Sequence, residues 1–223
     1  MKRRRNVTYT RAVLPMRKKR RLQIVPYRPR ANVSPGELKF HEVTVAAGAA
    51  ATAGTIVTDS LVKIAQGLTE STRVGRKVTV RKVSVRGSFV LPDTNVQGDA
   101  TDKIRYIMYL DKQANGATAT VANILNTANV DSFLALENKN RFWVLYDKTE
   151  DMAAQAGSWD GSSDRYTQQI KHFEFHKKCN IPIEYSSTAG AITEIRSYNL
   201  GVLAISERGV TTIDSITRIR FTD

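Results

Sequence analysis

From Leu38 onward the apolar residues of this chain recur at every second position, in run after run. That pattern limits the fold more than any other feature. A two-residue repeat puts alternate side chains on opposite faces of a strand, one toward a core and one toward water. Residues 38–46 (LKFHEVTVA) alternate weakly and residues 77–91 (KVTVRKVSVRGSFVL) clearly. In the second run the phase slips: Val78 and Val80 share one parity, while Val83, Val85 and Phe89 share the other. One extra residue near Arg81-Lys82 restores a single buried face, so a β-bulge is expected there. Residues 103–111 place Ile104, Tyr106, Met108 and Leu110 on one side, and Ile107 and Tyr109 on the other predict partial burial of both faces. Further strands are expected over 141–149, over 168–185 with a break at Asn180–Pro182, over 193–207 and over 213–222. β-Branched and aromatic residues are enriched in these runs, as strands prefer. Helical signals are few. Thr118 or Thr120 would cap about two turns over 121–128, and Asp59 and Gly67 bracket a second short helix. The small-residue stretch 46–54 reads as a loop, and 112–140 and 150–167 as long connections. The sum is one all-β domain of roughly eight strands over residues 37–223; sandwich, jelly roll and barrel all fit that count.

Residues 1–36 are of another kind. Lys2, Arg3, Arg4, Arg5, Arg11, Arg17, Lys18, Lys19, Arg20, Arg21, Arg28 and Arg30 fall in the first thirty positions, and the first acid is Glu37. The net charge of +13 is therefore +12 in those thirty residues and +1 in all the rest. Mutual repulsion and too few apolar side chains prevent such a segment from packing a core. Pro15, Pro26 and Pro29 interrupt any long helix. A flexible arm is expected, with a polyanion as partner. Each phosphate neutralised releases a condensed counterion, which makes binding strong, sequence-tolerant and salt-sensitive. Arg outnumbers Lys and suits bidentate phosphate contact. Tyr9 and Tyr27 alone could stack on bases. These twelve basic residues are the candidate nucleic-acid-binding residues, with a nuclear-localisation role compatible beside it. A membrane partner is not expected, because no apolar face accompanies the charge.

A search for chemistry finds little. A single Cys excludes an intrachain disulfide. No window supplies the ~18 apolar residues of a spanning helix, and Ala12-Val13-Leu14 runs into Pro15 before any signal-peptide core can form. The expectation is a soluble intracellular protein. Neither a phosphate-binding glycine loop nor a G-x-S-x-G elbow is present. His172, His176 and Cys179 superficially suggest zinc, but on a strand the two histidines would lie about 13 Å apart, too far for one metal. They read as sheet histidines and a small buried thiol. Asp147, Glu150, Asp151, Asp160 and Asp164 flank one loop; Ca²⁺ could use them, but a solvated acidic loop is the simpler reading. No cofactor and no enzymatic activity are expected. Trp143 and Trp159 read as packing or interface residues. The basic run Arg73, Arg76, Lys77, Arg81, Lys82, Arg86 contains no acid. It is either a solvated strand face or a second polyanion surface.

A neutral β body behind a basic arm is a plan shared by viral coat proteins and some ribosomal proteins. Residues 74–87 (VGRKVTVRKVSVRG) and 104–116 (IRYIMYLDKQANG) resemble capsid proteins of circular single-stranded DNA viruses that encode their own replication initiator. Residues 51–57 (ATAGTIV), 120–133 (TVANILNTANVDSF) and 139–149 (KNRFWVLYDKT) are similar to the satellite tobacco necrosis virus coat protein. The two resemblances are compatible, since many such DNA viruses have satellite-like capsids. They imply an eight-stranded jelly roll, self-assembled into a T=1 icosahedral shell of sixty subunits with the arms turned toward the genome. Phe133, Leu134, Leu136 and Trp159 would then be interface hot spots. The implied location is the virion and, during assembly, the host nucleus, with nuclear import machinery as a further partner. Residues 104–116 pull the cargo toward circular single-stranded DNA and the satellite resemblance toward RNA. Residue chemistry chooses neither, since no 2′-OH-reading motif is visible. A DNA-packaging capsid protein is the expectation carried forward. The alternatives are an RNA satellite coat protein or a ribosomal-like RNA-binding β-domain.

Overall fold

The structure, a computed structural model, describes residues 37–157 and 165–223. The twelve basic residues of the arm, Trp159, Asp160 and Asp164 lie outside the described residues. Eleven strands are present: β1 (Lys39–Ala49), β2 (Thr55–Thr58), β3 (Lys77–Leu91), β4 (Thr101–Asp111), β5 (Phe142–Ala153), β6 (Gln155–Ala156), β7 (Tyr166–Thr167), β8 (Gln169–Tyr185), β9 (Ile195–Ser197), β10 (Asn199–Ser206) and β11 (Thr212–Thr222). They form a five-stranded sheet in the order β1-β11-β3-β8-β9, a four-stranded sheet in the order β2-β10-β4-β5, and a small β6-β7 ribbon. Between the two layers the chain changes sheet at almost every step, and only β4–β5 and β8–β9 follow one another within a layer. With β9 as a short edge addition, the two layers are a jelly roll. Among the described residues no helix is long and apolar enough to cross a membrane.

The expected bulge is present. Val80 pairs with Phe221 and Lys82 with Arg220, which leaves Arg81 as an extra residue against β11. The slip puts Val78, Val80, Val83, Val85, Phe89 and Leu91 on one buried face. Five expectations are corrected. Ala46–Ala49 belongs to β1 rather than to a loop, because its backbone pairs with β11. β8 does not break at Asn180–Pro182: Pro182 stays paired with Thr79, and the irregularity is a local register shift opposite Arg81. The run 193–207 divides at Tyr198, whose φ of 57° turns the chain from β9 in one sheet to β10 in the other. The helix over 60–66 does not form. Leu61, Val62 and Ile64 are all fully buried, more than one helical face could cover, and the Leu61 N–H donates to the Leu200 carbonyl instead. The helix at 121–128 is one turn, α1 (Val121–Ile124), with the Thr120 N–H bonded to Asn123 Oδ1 at 2.9 Å. It stops where Leu125 turns to bridge Leu134.

The main core lies between the sheets and is centred on Phe89, Tyr106, Met108, Phe173, Val202, Ile219 and Phe221. A second cluster joins Ile107, Tyr109, Leu203 and Ile205 to Ala119, Ile124, Leu125 and Val130. The 112–140 connection thus covers the outer face of the four-stranded sheet, which is why β4 is buried on both faces. Arg105 clamps this cover: it forks onto Asp147 at 2.8 and 2.6 Å and donates to the carbonyls of Val130 and Ser132. Asp102, also buried, accepts hydrogen bonds from the Ser206 hydroxyl and from the N–H groups of Arg208 and Thr211.

Candidate nucleic-acid interface

Among the described residues the five-stranded sheet has no such cover: its inner face lines the core, and its outer face is open. Cross-strand register sets the outer side chains in rungs. One rung reads Phe40, Arg220, Lys82, Lys178 across β1, β11, β3 and β8. The next reads Glu42, Arg218, Ser84, His176, and the third Thr44, Ile216, Arg86, Glu174. A groove of about 510 Å³ runs over them, lined by Lys82, Arg86, Arg218 and Arg220 among others.

Part of this charge is neutralised in place. Arg86 pairs with Glu174 at 3.1 Å, Arg218 with Glu42 at 2.5 Å and Lys77 with Glu184 at 3.5 Å. His176 also bonds Glu174, and with Arg86 it holds that carboxyl below its usual pKa. Lys82, Lys178 and Arg220 have no carboxylate partner among the described residues.

The basic run of the sequence is thus divided by the fold. Lys82 and Arg86 stand on the open face. Arg81, exposed at the bulge, donates to Thr222 Oγ1 and Asn180 Oδ1. Arg76 is exposed just before β3, and Lys77 opens that strand. Arg73 does not belong with them. It is fully buried, donates to the carbonyls of Ile64, Gly75 and Ser187, and lies 4.1 Å over the Tyr185 ring. It is an internal strut joining three segments. Lys178, Arg218 and Arg220 were missed by the sequence reading. Strict alternation with Ile219 and Phe221 was the available signal for the two arginines.

Phe133 and Leu136 are 86% and 77% exposed on the segment that covers the other sheet, with Leu134 partly exposed beside them. These apolar side chains and the basic face lie on opposite sides of the barrel. Trp143 is half-exposed, with the Lys177 ammonium 5.0 Å over its ring.

The described residues hold no cluster of three or more His, Cys, Asp or Glu side chains able to bind a metal. His172 and His176 face outward, while Cys179 turns inward toward the Val80 carbonyl, where burial pushes its thiol pKa up. Asp147, Glu150 and Asp151 lie on β5, which runs on past the expected start of the 150–167 connection because it stays paired with β4; Asp147 is taken by Arg105, and Glu150 by Lys148 and Lys171.

Residues 34–223 match the family described as the satellite tobacco necrosis virus coat protein. This chain belongs to that family. The coat protein of Maize white line mosaic satellite virus is 26% identical to it over 143 residues, covering 63% of this chain and 60% of that protein. Both matches fall on the satellite side of the two resemblances seen in the sequence. Of the residues that carry the DNA-virus resemblance at 104–116, Ile104 to Leu110 are buried in β4 and Asp111 is buried in a bidentate pair with Arg141, while Lys112, Gln113 and Asn115 are exposed.

Proposed function

We propose that this chain is the coat protein of a satellite virus, that it assembles with copies of itself into a small T=1 shell, and that it packages single-stranded RNA through its basic arm. The observation that carries this reading is the family match over the whole jelly roll. Satellite tobacco necrosis virus is an RNA satellite, which favours RNA over the DNA first expected. The role is structural, in the virion, and needs no covalent chemistry. Residues 1–36 act as the tether to the genome, and Lys2 to Arg30 bind phosphates without reading sequence. Phe133, Leu134, Leu136 and Trp159 are the proposed contacts between subunits. Circular single-stranded DNA as cargo, with nuclear import through the same basic tracts, is the second reading; it rests on residues 104–116.

Sixty arms of +12 would carry roughly 700 positive charges. Neutralisation within a factor of two or three then sets the cargo at about 1,000–2,000 nucleotides. The test is electron microscopy and size-exclusion chromatography of the purified full chain and of a variant lacking residues 1–30. The full chain should form particles whose cargo is destroyed by ribonuclease after extraction. The shortened chain should retain its fold and lose most of the cargo. A full chain that stays monomeric with RNA present at assembly-permissive salt defeats the reading. Cargo sensitive only to deoxyribonuclease selects the DNA alternative.

A further inference from the structure

We infer that the open face of the five-stranded sheet is a second phosphate-binding surface, centred on the rung Arg220–Lys82–Lys178, and that it forms the inner wall of the shell. This rests on the coat-protein reading above.

The rung is an unusual arrangement. Arg220 lies directly opposite Lys82, and Lys82 directly opposite Lys178. Adjacent strands are about 4.8 Å apart, and like charges directly opposite one another on a sheet destabilise it. Neighbouring cations on the same face have carboxylates to offset them: Arg86 has Glu174 and Arg218 has Glu42. These three have none among the described residues. The cluster is not a by-product of general basicity either, since the chain beyond residue 30 carries a net charge of only +1. Three uncompensated cations in line on an otherwise neutral body call for an external anion.

The chemistry fits a phosphodiester backbone. Arg220 offers a planar fork and the two lysines offer point charges. The surface is open and shallow, so it can accept a chain in any sequence. Phe40, exposed at the end of the rung, gives a ring on which an unpaired base can stack. The apolar side chains Phe133 and Leu136 lie on the far side of the barrel, so subunit contacts and cargo contacts do not compete for one surface.

The test uses the full-length chain carrying Lys82→Gln, Lys178→Gln and Arg220→Gln, with a labelled single-stranded poly(U) oligonucleotide as probe. Association is measured across a salt series. Three lost phosphate contacts should lower the slope of log K against log salt by about 2, and Lys82→Gln alone by about 0.7. A control neutralising Lys63, Lys112 and Lys139, exposed or half-exposed and off this face, should leave the slope unchanged. Relief of repulsion should leave the thermal midpoint of the rung variant equal to or above that of the parent, so a lost slope is not a lost fold. An unchanged slope in the rung variant, or an equal loss in the control, overturns the inference. So does a rung variant that fails to assemble but binds the oligonucleotide as before, since the face would then be a subunit contact. If the parent chain forms no particles yet the rung variant loses its slope, the phosphate surface stands and the coat-protein reading falls.

Discussion

Asp102 shows what a single side chain does in this barrel. Burial would raise its pKa, but hydrogen bonds from Ser206, Thr211 and Arg208 outweigh that effect and hold it below the usual carboxylate value. A folded-state pKa below the unfolded one contributes stability that is present above the unfolded value, near 4, and is lost as pH falls through the folded value. Chemical denaturation of the unassembled chain between pH 5 and pH 2 should therefore show stability falling with pH. Asp102→Asn should be less stable at neutral pH by about 1–3 kcal/mol, with a shallower acid slope. This residue was invisible in the sequence, because Asp102 gives no local sign that β10 and the turn before β11 will converge on it. Arg73 was misread for the same reason. Besides the nearby carbonyls of Ile64 and Gly75 it reaches that of Ser187, far along the chain, and no periodicity connects the two. Lys82 and Arg86, by contrast, were legible as strand-face cations, because alternation with Val83 and Val85 set their side.

At the scale of elements, the bulge at Arg81 was the most informative feature in the sequence, since a phase slip in a two-residue repeat has few other causes. Deleting Arg81 should push Val78 and Val80, both buried, toward water. The expected loss is about 3–6 kcal/mol, read as a fall in thermal midpoint, whereas Arg81→Ala keeps the bulge and should change the midpoint little. A deletion variant as stable as the parent would mean that the register is set elsewhere. The four long runs around β3, β4, β8 and β11 were readable because each buries a continuous face. β2 was not, since four residues flanked by small side chains carry too little pattern. The missing helix over 60–66 was a tertiary override: Leu61, Val62 and Ile64 are buried, and the segment finds its backbone partners in β10 and in the residues following β8.

For the whole molecule, the important property is sidedness: apolar knobs over the four-stranded sheet, cations over the five-stranded one. Phe133→Asp with Leu136→Asp should leave the circular dichroism spectrum of the chain unchanged and abolish particles in size-exclusion chromatography, since both side chains are exposed in the isolated subunit. Retained particles would remove these residues from the subunit contacts. The barrel also has a feature tied to the direction of synthesis. β11, the last of the described strands along the chain, lies inside its sheet, between the edge strand β1 and the central strand β3. While the ribosome is still making it, β1 has no hydrogen-bonded neighbour and the sheet stays in two pieces. The five-stranded sheet therefore closes only once translation has passed residue 222, and a polypeptide that stops short of β11 leaves β1 unpaired. The position of one strand makes closure of the sheet a late event of synthesis.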